Sequence, residues 1–425
     1  MTVDLATGRL APYWRVLADP VLRRVLPGYL VSALGDGMSV VAVAWLAIQI
    51  SPVSERGVWT GLAVAAYALP ATVGAAMLGR FVRSLPSARL MALDAILRAA
   101  ALGAVAVLGA TGLLRPAVYV ALLAMSALLH AWGSAGAFSL VAERLTGPER
   151  VTGNAVLSTA SQASVIVGPA IAGGVIALTG PAWVIGIDAL TFMVLAVFCW
   201  RIPAKRAAEP TKASGLRVIA GNRQLIGLLA ITCVFYFLYG PVEVALPLHV
   251  VEDMHGNAGL LGVLLAVFGV GALIGGLSTG LLPRKSPWLL VVAIIVGWGA
   301  ALLPVGFFSS VLPVMLGLGF GGLIYGPYTA MSTELFQQVS PPDALTAVLA
   351  TRTALVIPAV SLGTMAGGPI VNVLGPAPTL VTSAALTIGL GGILGLAVLS
   401  EPVGKRWHAI AEPKRRLPAP DETPP

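Results

Sequence analysis

The stretch that decides the fold lies near the N-terminus, where residues 28–50 read GYLVSALGDGMSVVAVAWLAIQI. A helix needs about 20 apolar residues to cross a bilayer, and this run is long enough. Asp36 nevertheless lies near its middle, between Gly35 and Gly37. A charged carboxylate at the centre of a membrane costs about 2.5–3.5 kcal/mol even on the insertion scale. Such a residue is therefore a candidate functional site.

The composition of the whole chain is typical of a membrane protein. Hydrophobic residues make up 57% of the 425 residues, charged residues 10%, and the mean hydropathy is +0.90, whereas a soluble domain has about 25% charged residues. The predicted fold class is an all-α membrane protein with twelve transmembrane helices. The predicted spans are residues 26–50, 57–79, 88–111, 115–139, 151–178, 181–200, 224–248, 258–282, 287–308, 311–335, 345–371 and 377–399.

Arginine and lysine are distributed unevenly around these spans. With the N-terminus inside, all 26 of them except Arg56, Arg115, Arg98 and Arg352 fall on cytoplasmic segments. Cytoplasmic loops carry the excess of positive charge, so we expect both termini in the cytoplasm, as a leader at 1–25 and a tail at 400–425. The net charge of +8 then follows from topology. It predicts contact with the lipid bilayer and not with nucleic acid.

The chain divides into two similar halves. Residues 201–223 are the only long internal polar stretch, and they form a predicted cytoplasmic linker between six-helix bundles at 26–200 and 224–399. Residues 143–174 also match residues 337–368 at one constant offset, and both segments end in Ala-Gly-Gly. Repeated six-helix halves are typical of transporters that have a central site. We expect the protein to be a monomer.

Motifs for several other classes of protein are absent from the sequence. It contains no Walker-type ATP loop and no His-Glu-x-x-His zinc motif, and its four histidines are scattered. Cys199 and Cys233 do not suggest a disulfide framework. An enzyme is therefore not expected, and neither is a cofactor or a metal. If the substrate moves uphill, the energy is expected to come from an ion gradient.

Three intramembrane carboxyl groups are candidates for proton coupling. Asp36 is the first, because burial favours its neutral form and so allows it to pick up and release a proton. The alternative is a hydrogen-bonded Asp36 that stabilises a break in the helix at its two flanking glycines. Glu243 follows Pro241 and is a second candidate, for coupling, gating or contact with substrate, with an outer-rim helix cap as the alternative. Asp188 is the third candidate for proton coupling, and a buried hydrogen-bonded carboxyl group is an equally good interpretation of it.

Other polar residues in the spans predict ion pairs and a substrate cavity. Asp94 and Arg98 lie four residues apart on one helix face, acid first, which favours an ion pair within the helix. Arg352 has no partner in its own span, so we expect it to pair across the cavity. The remaining cavity candidates, for which hydrogen bonding between helices is the alternative, are Asn154, Gln162, Tyr236, Tyr239, Tyr325 and Tyr328.

These features resemble the major facilitator superfamily, and within it bacterial multidrug and siderophore exporters of the Tap and enterobactin-exporter kind. The resemblance covers about residues 24–400 and includes GDGMSVVAVAWLAIQI, NAVLSTASQASVIVGPAIAGG and GGLIYGPYTAMSTELFQQVSPPDALTAVLATRTA. It implies the twelve-helix fold in two pseudo-symmetric halves. It also implies a location in the bacterial cell membrane and export of an amphiphilic small molecule against proton entry, with the proton gradient as the energy source.

Two family motifs can be placed by this resemblance. The antiporter-motif helix corresponds to GPAIAGG, with Gly168, Pro169, Gly173 and Gly174, although Val165 stands where the motif usually has glycine. The loop between the second and third spans should carry Gly-x-x-x-Asp-Arg-x-Gly-Arg-Arg.

In that loop Gly79 is present and Arg89 follows, but Arg83 replaces the aspartate. The latch that this aspartate forms in the family is therefore altered or absent. The sequence leaves three other functions open, namely a dedicated exporter of a siderophore or secondary metabolite, an importer, and a non-transporting sensor or scaffold.

Overall fold

The structure is a computed structural model, and it describes residues 11–82, 85–203, 215–279, 287–341 and 344–399. Four predicted segments lie outside these ranges, namely the first ten residues of the leader, the loop residue Arg83, residues 204–214 of the linker and the whole tail. The described part of the chain is helical and includes twelve helical segments long and apolar enough to span a membrane.

The first half contains one short helix followed by six spans. The helices are α1 (Ala11–Ala18), α2 (Leu22–Ile50), α3 (Arg56–Val82), α4 (Ser87–Ala110), α5 (Pro116–Ala127), α6 (His130–Arg144), α7 (Gly147–Thr179) and α8 (Pro181–Trp200). The pair α5 and α6 together forms the fourth span. A single helix at 115–139 was expected there, but a turn at Leu128 and Leu129 interrupts it.

The second half repeats the arrangement after a short helix in the linker. The helices are α9 (Gly215–Ala220), α10 (Arg223–Glu252), α11 (Ala258–Ser278), α12 (Pro287–Phe307), α13 (Val311–Val339), α14 (Leu345–Leu374) and α15 (Pro376–Leu399). The twelve predicted spans are therefore confirmed in number and order, with ends that differ by a few residues.

The same turn ends the fifth span of each half. Gly180 follows α7 with φ of 87° and Gly375 follows α14 with φ of 89°, and the next helices begin at Pro181 and Pro376. Glycine adopts this left-handed conformation without strain, and proline is favoured at the first helical position. The correspondence extends the repeat seen in the sequence to the fold.

The helix α2 runs without interruption through Gly35, Asp36 and Gly37. The alternative in which Asp36 stabilises a break in the helix is therefore wrong. The glycine serves packing instead, because Gly37 lies directly against Gly168 of α7, and a side chain at either position would meet the opposite backbone. Small residues allow transmembrane helices to approach closely in this way.

The two ends of the bundle differ in how the halves meet. We call the end at which α2 and α10 begin the near end, and the end at which they finish the far end. Helix α3 packs on α14 and α7 packs on α11 across the two halves. Gly173, for example, lies against Gly259 and Gly262. These contacts lie between the middle of the bundle and the far end, so the structure is closed there.

Polar groups reinforce this closure at the far end. The Asn372 side chain on α14 accepts a hydrogen bond from the Gly57 N–H (2.8 Å) and donates one to the Ser54 carbonyl (2.9 Å). Arg56 lies 3.8 Å from Glu252 across the same junction.

Candidate functional site: a charged cavity and a cavity between the halves

The first cavity, of about 220 Å³, lies inside the N-terminal half. It extends from Asp36 in the middle of α2 toward the near end, where Tyr29 and Met91 line it. It is partly open, and the His130 side chain at its wall is 43% exposed. Serine hydroxyls also line it, from Ser32, Ser134, Ser161 and Ser164.

Asp36 is held at the edge of this cavity by two donors from other helices. The Arg98 guanidinium donates to Oδ1 at 2.9 Å, and the Tyr67 hydroxyl donates to the same oxygen. The Asp36 side chain remains 30% exposed, whereas the Arg98 side chain is only 2% exposed. Because both neighbours donate to it, the arrangement suits the ionised carboxylate. The carboxyl group can still be reached from the cavity.

The expected ion pair between Arg98 and Asp94 is not the one that forms. Arg98 points across to α2 and pairs with Asp36, while its guanidinium also lies 4.6 Å from the centre of the Phe192 ring. Spacing along one helix reveals only the partner in that helix. Here Asp36 of α2 takes the place of Asp94 as the partner of Arg98.

Asp94 instead lies beside His130, with 3.9 Å between Oδ2 and Nδ1. Asp94 is 7% exposed. Its Oδ1 and the His130 Nδ1 are buried and have no hydrogen-bond partner among the described residues. Both residues line the cavity. Buried polar atoms of this kind are commonly satisfied by water, and a cavity of this volume has room for it.

Asp188 is completely buried between α8 and α2. Its Oδ2 accepts a hydrogen bond from Ser39 at 2.6 Å, and its Oδ1 accepts a longer one from Thr191 at 3.3 Å. Asp188 lines neither the first cavity nor the one that lies between the two halves. Its geometry is that of the buried hydrogen-bonded carboxyl group, and its role in proton coupling stays a prediction.

The second cavity, of about 100 Å³, lies between the halves. Val40, Val41, Ala44 and Val64 contribute from the N-terminal half. The C-terminal half contributes Tyr239, Val242, Glu243, Leu246, Pro247, Leu261 and Leu265. Glu243 is the one carboxyl group in this lining, and its Oε2 accepts a hydrogen bond from Thr364 at 2.8 Å.

The four tyrosines predicted to line a cavity form one aromatic cluster in the C-terminal half. The Tyr325 hydroxyl donates to the Tyr236 hydroxyl at 3.2 Å, and Tyr328 packs against Phe235 with ring centres 4.4 Å apart. Tyr328 is 1% exposed. Only Tyr239 among the four lines the cavity between the halves. The others pack mainly against each other, because edge and stacked contacts between rings stabilise such a cluster.

Arg352 does not pair across the cavity as expected. Its guanidinium donates to Ser332 (3.2 Å) and Thr333 (3.3 Å) on α13 of the same half, and it lies 5.3 Å from the centre of the Phe336 ring. Hydroxyls and an aromatic face on the neighbouring helix satisfy the charge locally.

Asn154 is half-buried, with its Oδ1 lacking a partner among the described residues, and Gln162 is exposed on α7. Neither lines the two cavities described above. Their contact with substrate therefore stays a prediction.

The helix of the antiporter motif contacts both halves. Gly168 packs on α2 within its own half, as described above, whereas Pro169 and Gly173 lie against Gly262 of α11 in the other half. Gly174 faces open space. The motif therefore lies where α7 crosses between the two bundles, while its function in coupling is untested.

The altered loop motif is only partly within the described residues. Gly79 falls in the last turns of α3, and Arg83 lies outside the described ranges. The Arg89 guanidinium lies over the Trp200 ring at 4.1 Å, at the near end of α8. This is a contact within the N-terminal half.

Sequence reasoning missed Tyr67, Ser39, Thr364 and Asn372, which bind the carboxyl groups or join the halves. Each is a polar side chain within a predicted span or near its end, and isolated polar residues in such runs could have been treated as candidates. Their partners could not be identified, because every partner lies on a different helix.

Comparison with known proteins identifies the family. Residues 25–355 match the Major Facilitator Superfamily. The chain is 28% identical over 395 residues to the multidrug efflux pump Tap of Mycobacterium tuberculosis, covering 88% of this chain and 92% of that protein. It is also 28% identical over 249 residues to macrolide efflux protein A of Enterococcus faecalis, covering 53% of this chain and 75% of that protein.

Solved structures share the fold at low sequence identity. A bacterial homologue of the human lysosomal transporter Spinster, in an inward-facing and unoccupied conformation, matches with a TM-score of 0.65 and 13% identity, covering 92% of this chain and 98% of that chain. A variant of the nucleoside transporter NupG matches with a TM-score of 0.68, 13% identity and the same coverage. Taken with the match over residues 25–355, the twelve spans and the two packed halves, this shows that the chain belongs to the Major Facilitator Superfamily of membrane transporters.

Proposed function

We propose that the protein exports amphiphilic small molecules in exchange for protons. The single observation that supports this most is the placement of Asp36. Its carboxyl group accepts from Arg98 and Tyr67 and remains 30% exposed at a cavity that extends toward the near end. The efflux relatives support the direction and the class of substrate by similarity.

The proton would be carried by Asp36 in the following way. In the far-end-closed state, Arg98 and Tyr67 stabilise the charged carboxylate, so a proton is released into the cavity and leaves at the near end. When the halves rock to open the far end, the carboxyl group takes up a new proton. The change of protonation biases the equilibrium between the two states, as coupled transport requires.

The topology belongs to the same proposal. Helix α2 begins and α15 ends at the near end, and in the sequence the segments on that side of the spans hold most of the basic residues. We therefore place the near end in the cytoplasm of a bacterial cell. Export then begins from the state seen here, with substrate entering from the cytoplasm or the inner leaflet.

The test is transport by the purified protein in liposomes that contain no other protein. A macrolide antibiotic and the dye ethidium are the probes, and a pH gradient is imposed across the membrane. We expect movement of a probe against the proton flow, abolished by a protonophore and absent from empty liposomes. Transport that ignores the gradient and the protonophore would show that protons are not the coupling ion.

A further inference from the structure

We infer that the cavity between the halves binds the methylated ammonium head of a cationic substrate, with Glu243 as its counter-ion. The inference rests on the proposed transport function and adds the chemical class of the group that is recognised. It starts from the one carboxyl group in an otherwise apolar lining.

One oxygen of Glu243 is available to a ligand. Thr364 donates to Oε2 at 2.8 Å, and no described residue donates to Oε1. Oε1 thus has no hydrogen-bond partner among the described residues, and it is not one of the buried atoms. It is therefore accessible. Since a carboxylate has about four lone-pair sites, most of its capacity faces the cavity.

The charge of the lining selects a cation. Apart from Glu243, the cavity is lined by aliphatic side chains and Tyr239, and the described lining includes no lysine, arginine or histidine. An ionised carboxylate in apolar surroundings is costly unless it is paired. A positively charged ligand supplies the missing partner.

The volume of the cavity limits what can enter it. A space of about 100 Å³ corresponds to roughly three water molecules at about 30 Å³ each. A dimethylamino or trimethylammonium group is of this size, whereas a whole drug is much larger. Only the head of an amphiphile would therefore enter, and the remainder of the molecule would lie outside this cavity.

The lining favours a methylated over a primary ammonium. A primary ammonium carries three N–H donors, and the carboxylate is the main acceptor that the cavity offers. Methyl groups instead contact Val242, Leu246 and Leu261 without leaving donors unpaired. The Tyr239 ring, fixed 5.9 Å from Trp298, can also attract the cation through its face.

Glu243 is linked to the closure of the far end through Thr364. The backbone of Thr364 lies against Gly61 of α3, at the crossing of α3 and α14 that joins the halves. A ligand that draws the carboxylate toward itself would pull on this contact. The site is separate from the Asp36 cavity, because the two share no lining residue.

The experiment is calorimetric titration of the whole protein in lipid nanodiscs, with empty nanodiscs subtracted. The probes are dodecyltrimethylammonium, dodecylammonium and the neutral dodecanol, below the concentrations at which they form micelles. For the wild type we expect the trimethylammonium compound to bind about tenfold more tightly than the alcohol and severalfold more tightly than the primary amine. Equal affinities, or preference for the primary amine, would overturn the inference without use of any variant.

Variants then assign the effect to the carboxylate. Glu243→Gln should lose about tenfold in affinity for the trimethylammonium compound and leave dodecanol binding unchanged. The control Glu334→Gln removes a carboxylate of the same half outside the cavity and should bind like the wild type. Unchanged affinity in Glu243→Gln would contradict the inference. The proposed proton coupling is scored separately, because the response of wild-type transport to a pH gradient is measured in liposomes and does not enter this binding assay.

Discussion

The Arg98 guanidinium lies 2.9 Å from Oδ1 of Asp36, and this contact joins the third span to the first. Two further features make it more than a surface ion pair. Arg98 is almost completely buried, and the Tyr67 hydroxyl donates to the same oxygen. The buried charge of Arg98 on α4 is therefore balanced only while α2 holds Asp36 beside it.

This relationship predicts the outcome of removing either partner. Arg98→Gln leaves Asp36 without its counter-ion, and breaking a buried pair costs about 3–5 kcal/mol, less here because Asp36 is 30% exposed. We expect a fall of several degrees in the apparent melting temperature in detergent. The double variant Asp36→Asn/Arg98→Gln should recover much of the loss. Additive losses in the double variant would show that the two side chains do not act as a pair.

The helix crossing between α2 and α7 predicts a contrast between two glycines of the same helix. A methyl group at Gly168 would meet the backbone of Gly37, whereas one at Gly174 would meet open space. Gly168→Ala should lower the melting temperature and the yield of folded protein. Gly174→Ala should be neutral or slightly stabilising, since alanine is favoured over glycine by about 1 kcal/mol in helices. Equal effects at both positions would refute the close crossing.

The far-end contacts predict that Asn372 sets the balance between conformations. Asn372→Ala removes hydrogen bonds to Gly57 and Ser54, each worth about 0.5–1.5 kcal/mol. Together the two bonds are worth about 1–3 kcal/mol, so the far-end-closed state should lose about 5- to 150-fold in relative population.

Spin labels at Val53→Cys and Val373→Cys report this directly, because both side chains are highly exposed at the far end. Cys199 and Cys233 would first be replaced by serine. We expect the distance distribution to broaden toward longer distances in Asn372→Ala. A distribution unchanged from that of the labelled parent would mean that other contacts hold the far end closed.

Asp19, which lies just before α2 at the near end, should make the stability of the fold depend on pH. Burial raises the pKa of Asp19, but hydrogen bonds from Arg144 and from the N–H groups of Leu22 and Val21 outweigh it, so the pKa lies below its ordinary value of 3.8. A lowered pKa means that Asp19 stabilises the fold above pH 3.8 and that this contribution is lost as the pH falls through the folded-state pKa.

Thermal melts between pH 7 and pH 3 test this dependence. The melting temperature of Asp19→Asn should lie below that of the wild type at pH 7, and the difference should shrink as the pH falls below 3.8 toward the folded-state pKa. Glu149→Gln is the control, because its ion pair with Arg15 is exposed, 3.8 Å long and worth little. A constant difference between Asp19→Asn and the wild type at all pH values would exclude the carboxylate as the cause.

The sequence was sufficient to predict the helices but not their polar contacts. Apolar runs and their breaks predicted twelve spans, because each span must satisfy its backbone within itself. Contacts between helices were harder to predict from the sequence, as the pairing of Arg98 with Asp36 instead of Asp94 illustrates. The glycines that flank Asp36 also suggested a break in the helix. In the structure the helix is continuous, and Gly37 allows it to approach α7 closely.

The cavities show the same limit. Asp36 and Glu243 were found because a carboxyl group in an apolar run is conspicuous in any sequence. Their separation into two different cavities depends on helix rotation and packing, which single-chain periodicity does not specify. For the same reason Tyr325 and Tyr328 were assigned to a cavity, although they pack within an aromatic cluster.

The most direct test of the central claim compares two modes of transport in proteoliposomes containing the wild type or Asp36→Asn. Exchange of labelled for unlabelled substrate at equal pH requires the conformational cycle alone, whereas accumulation driven by a pH gradient requires proton movement as well. We predict that Asp36→Asn retains exchange and loses the response to the gradient. A variant that still accumulates substrate in proportion to the gradient would contradict Asp36 as the proton carrier.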